Sequence, residues 1–465
     1  MPIAAQNHGQ DRPSEKPVAI IGGGFSGTLL AVQLARAGTR AVIVEREGTA
    51  LGHGLAYGAC GPQHLLNVRA ANMSAFPDDP AHFLRWLGHG EIEAGGTSGS
   101  DLPNRFASRA DYGRYLADVL AQARAAMPGL VEVCLGTAHD VVPAHDGALR
   151  VLLHDGRALD ARAVVLAQGN APPAPHRALA GLPPPRAIAD PWARHAFDAI
   201  SPEAAVFLLG TGLTAIDVIQ TLDARGHRGP ILALSRRGLL PRAHADIGPV
   251  VDPQPLPTAQ GSALMAHVRE RARAVGWHHA IDELRPHTRA LWQAHAAEGQ
   301  ARFLRHARPW WDVHRHRMAP QIARRIAALE AEGRLQVVAG SLEAAQAAGA
   351  RLALRWRPRG TDAPVETLVD HAVICTGPDG NPERSRDPLL RTLLSRGAAR
   401  ACPQRLGLDI DPAWRLRDRE GKAALPLYAM GTLTKGLGWE MVAVPDIRVQ
   451  ARDLAHHLAR IAVPA

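Results

Sequence analysis

Short apolar runs that end in glycine recur along this chain of 465 residues. Val18-Ala19-Ile20-Ile21 runs into Gly22-Gly23-Gly24, Ala163-Val164-Val165-Leu166-Ala167-Gln168 into Gly169, Val206-Phe207-Leu208-Leu209 into Gly210, and Ala372-Val373-Ile374-Cys375-Thr376 into Gly377. Such runs lack period-two alternation, which predicts strands buried on both faces, as in a parallel sheet covered by helices. Behind the first run, Leu29, Leu30, Val32 and Leu34 have helical spacing. Gly38 ends that helix, and Ala41-Val42-Ile43-Val44 follows as a second buried strand closing on Glu45. Strand, glycine turn, helix and strand in this order predict a βαβ unit. The plan returns as Gly210-Thr211-Gly212-Leu213-Thr214-Ala215, with Ile231-Leu232-Ala233-Leu234 as its next strand.

Between and after these units the pattern shortens. Val131 to Leu135 and Leu149 to His154, with the turn pairs Asp146-Gly147 and Asp155-Gly156, predict an antiparallel meander, echoed by Leu335 to Gly340 and Leu352 to Trp356. The fold class is therefore α/β, with two Rossmann-type dinucleotide-binding domains, each carrying a β-meander. Proline-rich seams at 172–175 and 183–185 separate a first unit, 16–195, from a second, 200–370, and residues 371–465 return to the first. Residues of about 263–332, helical in pattern and rich in His, Arg and Trp, form an insertion.

Each glycine turn has a stated chemistry. Gly22 makes the tight turn, Gly24 admits a pyrophosphate and Gly27 lets the helix pack closely, while the helix N-terminus offers N–H groups to the anion. Ser26 lies in that turn, and Glu45, with Arg46 beside it, sits where a ribose diol is held. In the second turn Gly210, Gly212 and Ala215 take these places. Its strand ends in Ser235-Arg236-Arg237, where an acid would select an unphosphorylated ribose. Guanidinium groups bind phosphate bidentately, so the second nucleotide is read as NADP.

Composition narrows the class. A hydrophobic share of 46% and a charged share of 21% exclude a disordered or collagen-like chain. The formal charge of +9 raises nucleic acid as a partner, yet only Lys16, Lys422 and Lys435 are lysines and the arginines are scattered rather than clustered. No nucleic-acid partner is expected. Cys60, Cys134, Cys375 and Cys402 are far apart and form no CxxC, which excludes a disulfide framework, zinc site or dithiol centre. There is no HExxH, and His314-x-His316 alone does not make a metal site. Residues 1–16 are polar and no apolar run is long enough to span a bilayer, so a cytoplasmic protein without a membrane partner is expected.

Two dinucleotide turns, each followed by a meander and a glycine-terminated strand, resemble the two-dinucleotide-binding-domain flavoproteins of the glutathione-reductase fold. The resemblance implies FAD at the first turn, NAD(P)H at the second, and a C-terminal return to the FAD domain. That return is Leu427 to Gly431, then Trp439-Glu440, then Val444-Pro445-Asp446 opening a helix whose N-terminus faces the flavin. Gly431 and Asp446 thereby join the FAD residues. Thr432 departs from the Gly-Asp pair that the family often carries. The chain has no dithiol after its first helix, unlike disulfide reductases, and Asp190-Pro191-Trp192 stands in place of the Baeyer–Villiger oxygenase signature. His64 to Val68, Asn72 to Pro80, Trp311 to Arg317 and Trp439-Glu440 are similar to a bacterial group of FAD/NAD(P)-binding proteins. That group includes an FAD-dependent urate hydroxylase, with amino-acid N-oxygenases as neighbours.

The resemblance implies an FAD-dependent monooxygenase in which NADPH, or NADH, reduces the flavin and a C4a-hydroperoxide formed with O2 hydroxylates a small electron-rich substrate. Urate, giving 5-hydroxyisourate, is the substrate read first. Amino-acid N-hydroxylation, and a flavin reductase acting on another acceptor, are the alternatives. Arg302, Arg305, His306, Arg308, His314, Arg315, His316 and Arg317 are a reservoir of cations for urate, and Trp310 and Trp311 offer surfaces for stacking on its planar ring. Of these Arg315, His316 and Trp311 are the substrate candidates. Asn67, as a donor to the flavin, His64, as a proton carrier, and Trp439, beside the ring, are the catalytic candidates. A solvated helix face and packed, hydrogen-bonded side chains explain the same residues structurally. The oligomeric state stays open.

Overall fold

The computed structural model describes residues 16–93, 101–144, 147–245 and 254–461. Residues 1–15 and Asp146, on which expectations were placed above, lie outside these. Five strands form an all-parallel sheet: Val18–Ile21 (β1), Ala41–Glu45 (β2), Val131–Leu135 (β3), Ala163–Leu166 (β7) and Leu427–Ala429 (β15), in the order β15-β7-β1-β2-β3. Helices cover this sheet. Phe25–Arg36 lies between β1 and β2 in sequence and packs against Arg109–Ala126 and Val444–Ala459. Ile20, Leu30 and Ile43 are fully buried in that core, and burial of each such side chain is worth about 1.5–3 kcal/mol. Ala138–Pro143 (β4), Leu149–Leu153 (β5) and Ala158–Ala161 (β6) form the antiparallel meander.

The second sheet has seven strands. Ala187–Ile188 (β8), Val206–Leu209 (β9), Ile231–Ser235 (β10), Leu335–Ala348 (β11), Arg351–Pro358 (β12), Val365–Val369 (β13) and His371–Ile374 (β14) run in the order β13-β12-β11-β10-β9-β14-β8. From β11 to β8 the pairing is parallel; β11-β12-β13 is antiparallel. A fold of two dinucleotide-binding domains with meanders is thus what the chain adopts.

Three boundaries differ from expectation. β3 joins the parallel sheet beside β2 rather than the meander, because Ala41 to Glu45 register against Val131 to Leu135. β8 and β14 belong to the second sheet, so the second unit extends past both 200 and 370. Pro320–Ala331 buries Ile326 and Leu329 in the core of the second sheet and is the crossover helix from β10 to β11. The inserted cap is accordingly the run of helices from Gly261 to Arg315.

Candidate functional site

At the first glycine turn the carboxyl ends of β1, β7 and β15 meet. Ala167 N–H bonds Ile21 O and Met430 N–H bonds Leu166 O, carrying the ladder past the strand ends. Gly22 adopts φ +110°, and a Cβ there would lie 2.6 Å from Ala167 O. Gly24 caps the following helix with no side-chain hydrogen bond, unlike Ser108, which accepts from Asp111 N–H. The N–H groups of that first turn therefore have no side-chain acceptor and suit an anion. Glu45 is buried and braces the turn, accepting from Gly23 N–H at 2.6 Å and Glu47 N–H at 3.2 Å. Arg46 is exposed beside it. Gly431 (φ +67°) sits against Ser26, whose Oγ would be 2.6 Å from an added Cβ. Its N–H donates to Gln450 Oε1, and Gln450 Nε2 donates to Thr434 Oγ1, which donates to Gly431 O. Gln450 escaped the sequence reading, since a lone glutamine on a helix carries no motif. Thr432 at the departure from the family pattern donates to Gly169 O, tying the ends of β7 and β15.

The second turn is built alike. Gly210 has φ +119°, with Cys375 O 2.4 Å from an added Cβ, and Ala215 is fully buried. Gly212 caps Leu213–Ala224 without a side-chain bond, and a Cβ there would meet nothing within 4 Å. That open space over an uncapped helix is what a diphosphate fills. Ser235 Oγ accepts from Gly238 N–H and lies 2.8 Å from Thr211 Oγ1, whose hydroxyl donates to Leu239 O, so Ser235 helps to hold the turn. Arg236 is exposed and Arg237 half-buried, with no acidic partner for either among the described residues. Arg237 instead lies over the ring of Trp310, 5.9 Å from its centre.

The cap docks on the C-terminal return. Trp292 Nε1 donates to Gly436 O, and its ring stacks on Trp439 at 5.1 Å, with Phe303 edge-on. Trp311 Nε1 donates to Glu440 Oε1 at 2.9 Å, and Arg315 Nε lies 3.2 Å from Glu440 Oε2, these side chains being 9% and 4% exposed. Trp439 Nε1, Arg315 Nε and Glu440 Oε2 are buried without an aligned hydrogen bond. Arg285 pairs with Asp446 at 3.0 Å at the start of Val444–Ala459. Burial pushes Asp446 above the usual carboxylate range. Burial opposes ionisation of Glu440 too, but His316, Arg315, the Trp311 N–H and Arg285 outweigh it and hold its carboxyl low. Burial lowers the His316 pKa, with Glu440 acting against it.

The cationic reservoir read as a urate pocket is not one. Arg302, Arg305 and His306 are exposed, Arg308 pairs with Asp312, and Arg317 is buried in a bidentate pair with Asp282. Only Arg315, His316 and Trp311 come together, and they converge on Glu440.

His64 lies at the joint between the domains. Its Nδ1 accepts from Gly61 N–H, and Nε2 is 2.9 Å from Thr221 Oγ1 and 3.1 Å from Asp217 O. Nδ1 is thus engaged within the first domain and Nε2 with the second, so the ring named above as a proton carrier has a structural role at this joint. Next to it Arg109 pairs bidentately with Asp217 at 2.8 and 3.0 Å. His64, Asp217 and Thr221 border an interdomain cleft of about 500 Å³ that Trp192 also lines. Asn67 contributes its backbone: its O accepts from His244 Nε2 at 3.0 Å. Burial lowers the His244 pKa to about 4. Since the folded value lies below the ordinary 6.5, protonation favours the unfolded chain, so this contribution is complete above pH 6.5 and is lost as pH falls towards 4. The expected loss is about 3 kcal/mol by pH 4. His244→Gln should flatten that part of the acid limb in denaturant melts from pH 7 to 4, and an unchanged limb would count against it.

Among the described residues no group of His, Cys, Asp or Glu is arranged to hold a metal, and no helix is long and apolar enough to cross a membrane. Residues 19–171 match a family model described as FAD-NAD(P)-binding. No curated protein sequence matches the chain. Among solved structures, the chain is similar to an ornithine N-hydroxylase of Kutzneria sp. 744 held with reduced FAD, NADP+ and L-ornithine (16% identity, 96% of this chain and 99% of that one, TM-score 0.65). It is also similar to an FAD-bound cadaverine monooxygenase of the desferrioxamine pathway from Erwinia amylovora (12%, 97% and 96%, 0.66). A bacillithiol disulfide reductase from Bacillus cereus superposes less closely (12%, 96% and 99%, 0.56). The fold is that of two-domain FAD/NAD(P)-binding flavoproteins.

Proposed function

We propose that the protein is an FAD-dependent, NADPH-oxidising monooxygenase that N-hydroxylates an amine of a small substrate. The carrying observation is the cluster of buried Glu440 and Arg315 with half-buried Arg285, Asp446 and His316, where the cap meets the helix of the C-terminal return. The Kutzneria and Erwinia neighbours act on ornithine and cadaverine, and nothing in the comparisons favours urate. Four free cysteines, none paired, speak against disulfide reduction. FAD, when bound, supplies hydride acceptance and oxygen activation.

The chain's own residues do the rest. The first turn, Glu45, Gly431 and Gln450 hold the flavin nucleotide, and the second turn with Arg236 and Arg237 holds NADPH. Trp292, Trp439 and Phe303 exclude water. Glu440 and Asp446 match an ammonium group, Arg285 and Arg315 a carboxylate. An amine must lose its proton before it can be oxidised at nitrogen, and His316, whose pKa burial lowers, can take that proton.

Purified protein should be yellow and bleach near 450 nm with NADPH. Aerobic NADPH oxidation should rise with ornithine, lysine or cadaverine and give a hydroxylamine product, with no response to urate. Reduction of an artificial acceptor without coupling to any amine would overturn the reading in favour of a reductase. Arg236→Ala with Arg237→Ala should raise KM for NADPH by roughly 100-fold or more, since charge-assisted hydrogen bonds contribute about 1.5–3 kcal/mol each. KM for NADH should hardly move; equal losses for both would refute the phosphate assignment.

A further inference from the structure

We propose that Trp310, on the cap, is the platform on which the adenine ring of the dinucleotide at the second glycine turn stacks. This rests on the NADPH reading. Trp310 is 43% exposed, whereas its neighbour Trp311 is spent on Glu440 and Trp292 and Trp439 are buried. This exposed indole faces Arg237, a guanidinium without an acidic partner among the described residues, at 5.9 Å. Adenine and 2′-phosphate are borne by one ribose. A base whose phosphate lies on Arg236 and Arg237 is therefore within a ring's reach of Trp310.

The backbone that carries the indole is anchored, which limits the entropy lost on stacking. Trp310 lies in Arg308–Arg315, and His314 Nδ1 bonds Trp310 O at 2.8 Å. Arg242 N–H bonds Val313 O and Met318 N–H bonds Arg242 O, so the segment that follows β10 is tied to this helix on both sides. Adjacent tryptophans of one helix thus serve two places, Trp311 the buried cluster and Trp310 the dinucleotide.

The test is calorimetric titration of FAD-loaded protein with adenosine 2′,5′-bisphosphate, NADP+ and NAD+. Trp310→Ala should bind the bisphosphate about tenfold more weakly, while Trp310→Phe, which keeps a ring, should stay within about threefold of the parent. NADP+ and NAD+ should weaken together in Trp310→Ala, because both carry adenine, whereas the Arg236/Arg237 double variant should lose NADP+ alone. An unchanged flavin spectrum and Tm confirm that Trp310→Ala is folded. Parent-like binding by Trp310→Ala overturns the platform and leaves the NADPH reading standing. Failure of the parent itself to bind adenosine 2′,5′-bisphosphate and NADP+ overturns both.

Discussion

Gly27→Ala should yield a protein that cannot retain FAD. An added Cβ would lie 1.9 Å from Gly22 O and 3.1 Å from Ile20 Cγ2. The first of these is backbone, held by β1, so no side chain can swing aside. Phe25–Arg36 would have to lift off the sheet, at a cost in the upper part of the ~1–3 kcal/mol range of overpacking or beyond it. Lifting the helix also scatters the N–H groups that converge on the first turn. Flavin content, read as 450 nm absorbance per protein, should fall more than tenfold, and a full complement would sink the argument. Gly212→Ala is the contrast. Its φ of −82° suits any residue and its Cβ meets nothing within 4 Å, so the variant should fold, stay yellow and fail to be reduced by NADPH.

What could be read from sequence was local. Strand, glycine turn, helix and strand lie within a few dozen residues of one another, and Gly22, Gly27 and Gly210 are required by contacts that any such turn makes. Strand partnership is not local. Val131 to Leu135 alternates well enough for a meander, and only its register on β2 places it in the parallel sheet. β11 has one apolar stretch and two partners, β10 and then β12, with a register shift between Leu342 and Ala344, so its outer half stayed invisible. Charge misled for the same reason. Asp282 and Glu440 sit far along the chain from the arginines they neutralise, and in sequence those arginines looked free. Glu440 was recognised as part of a motif, but its convergence with Arg315 and Trp311 across more than a hundred residues was not legible.

Asp217→Ala is expected to loosen the joint between the two domains. Asp217 is 6% exposed and receives both arms of Arg109, 16% exposed, from 108 residues earlier in the chain. Removal of one partner strands a buried guanidinium, which costs about 3–5 kcal/mol. The same helix holds Thr221 against His64, so loosening it at Asp217 also releases that hydrogen bond. Each domain keeps its own core, and FAD should therefore remain bound. Reduction of the flavin by NADPH should slow at least tenfold, because hydride transfer needs the second domain fixed against the first. Stopped-flow reduction together with thermal melts checks both parts. Arg109→Met with Asp217→Leu deletes both charges and should recover most of the stability, since a buried pair replaced by apolar side chains is often neutral. If recovered stability brings back fast reduction, the pair serves to hold the joint; if it does not, Arg109 or Asp217 has a part in the transfer itself.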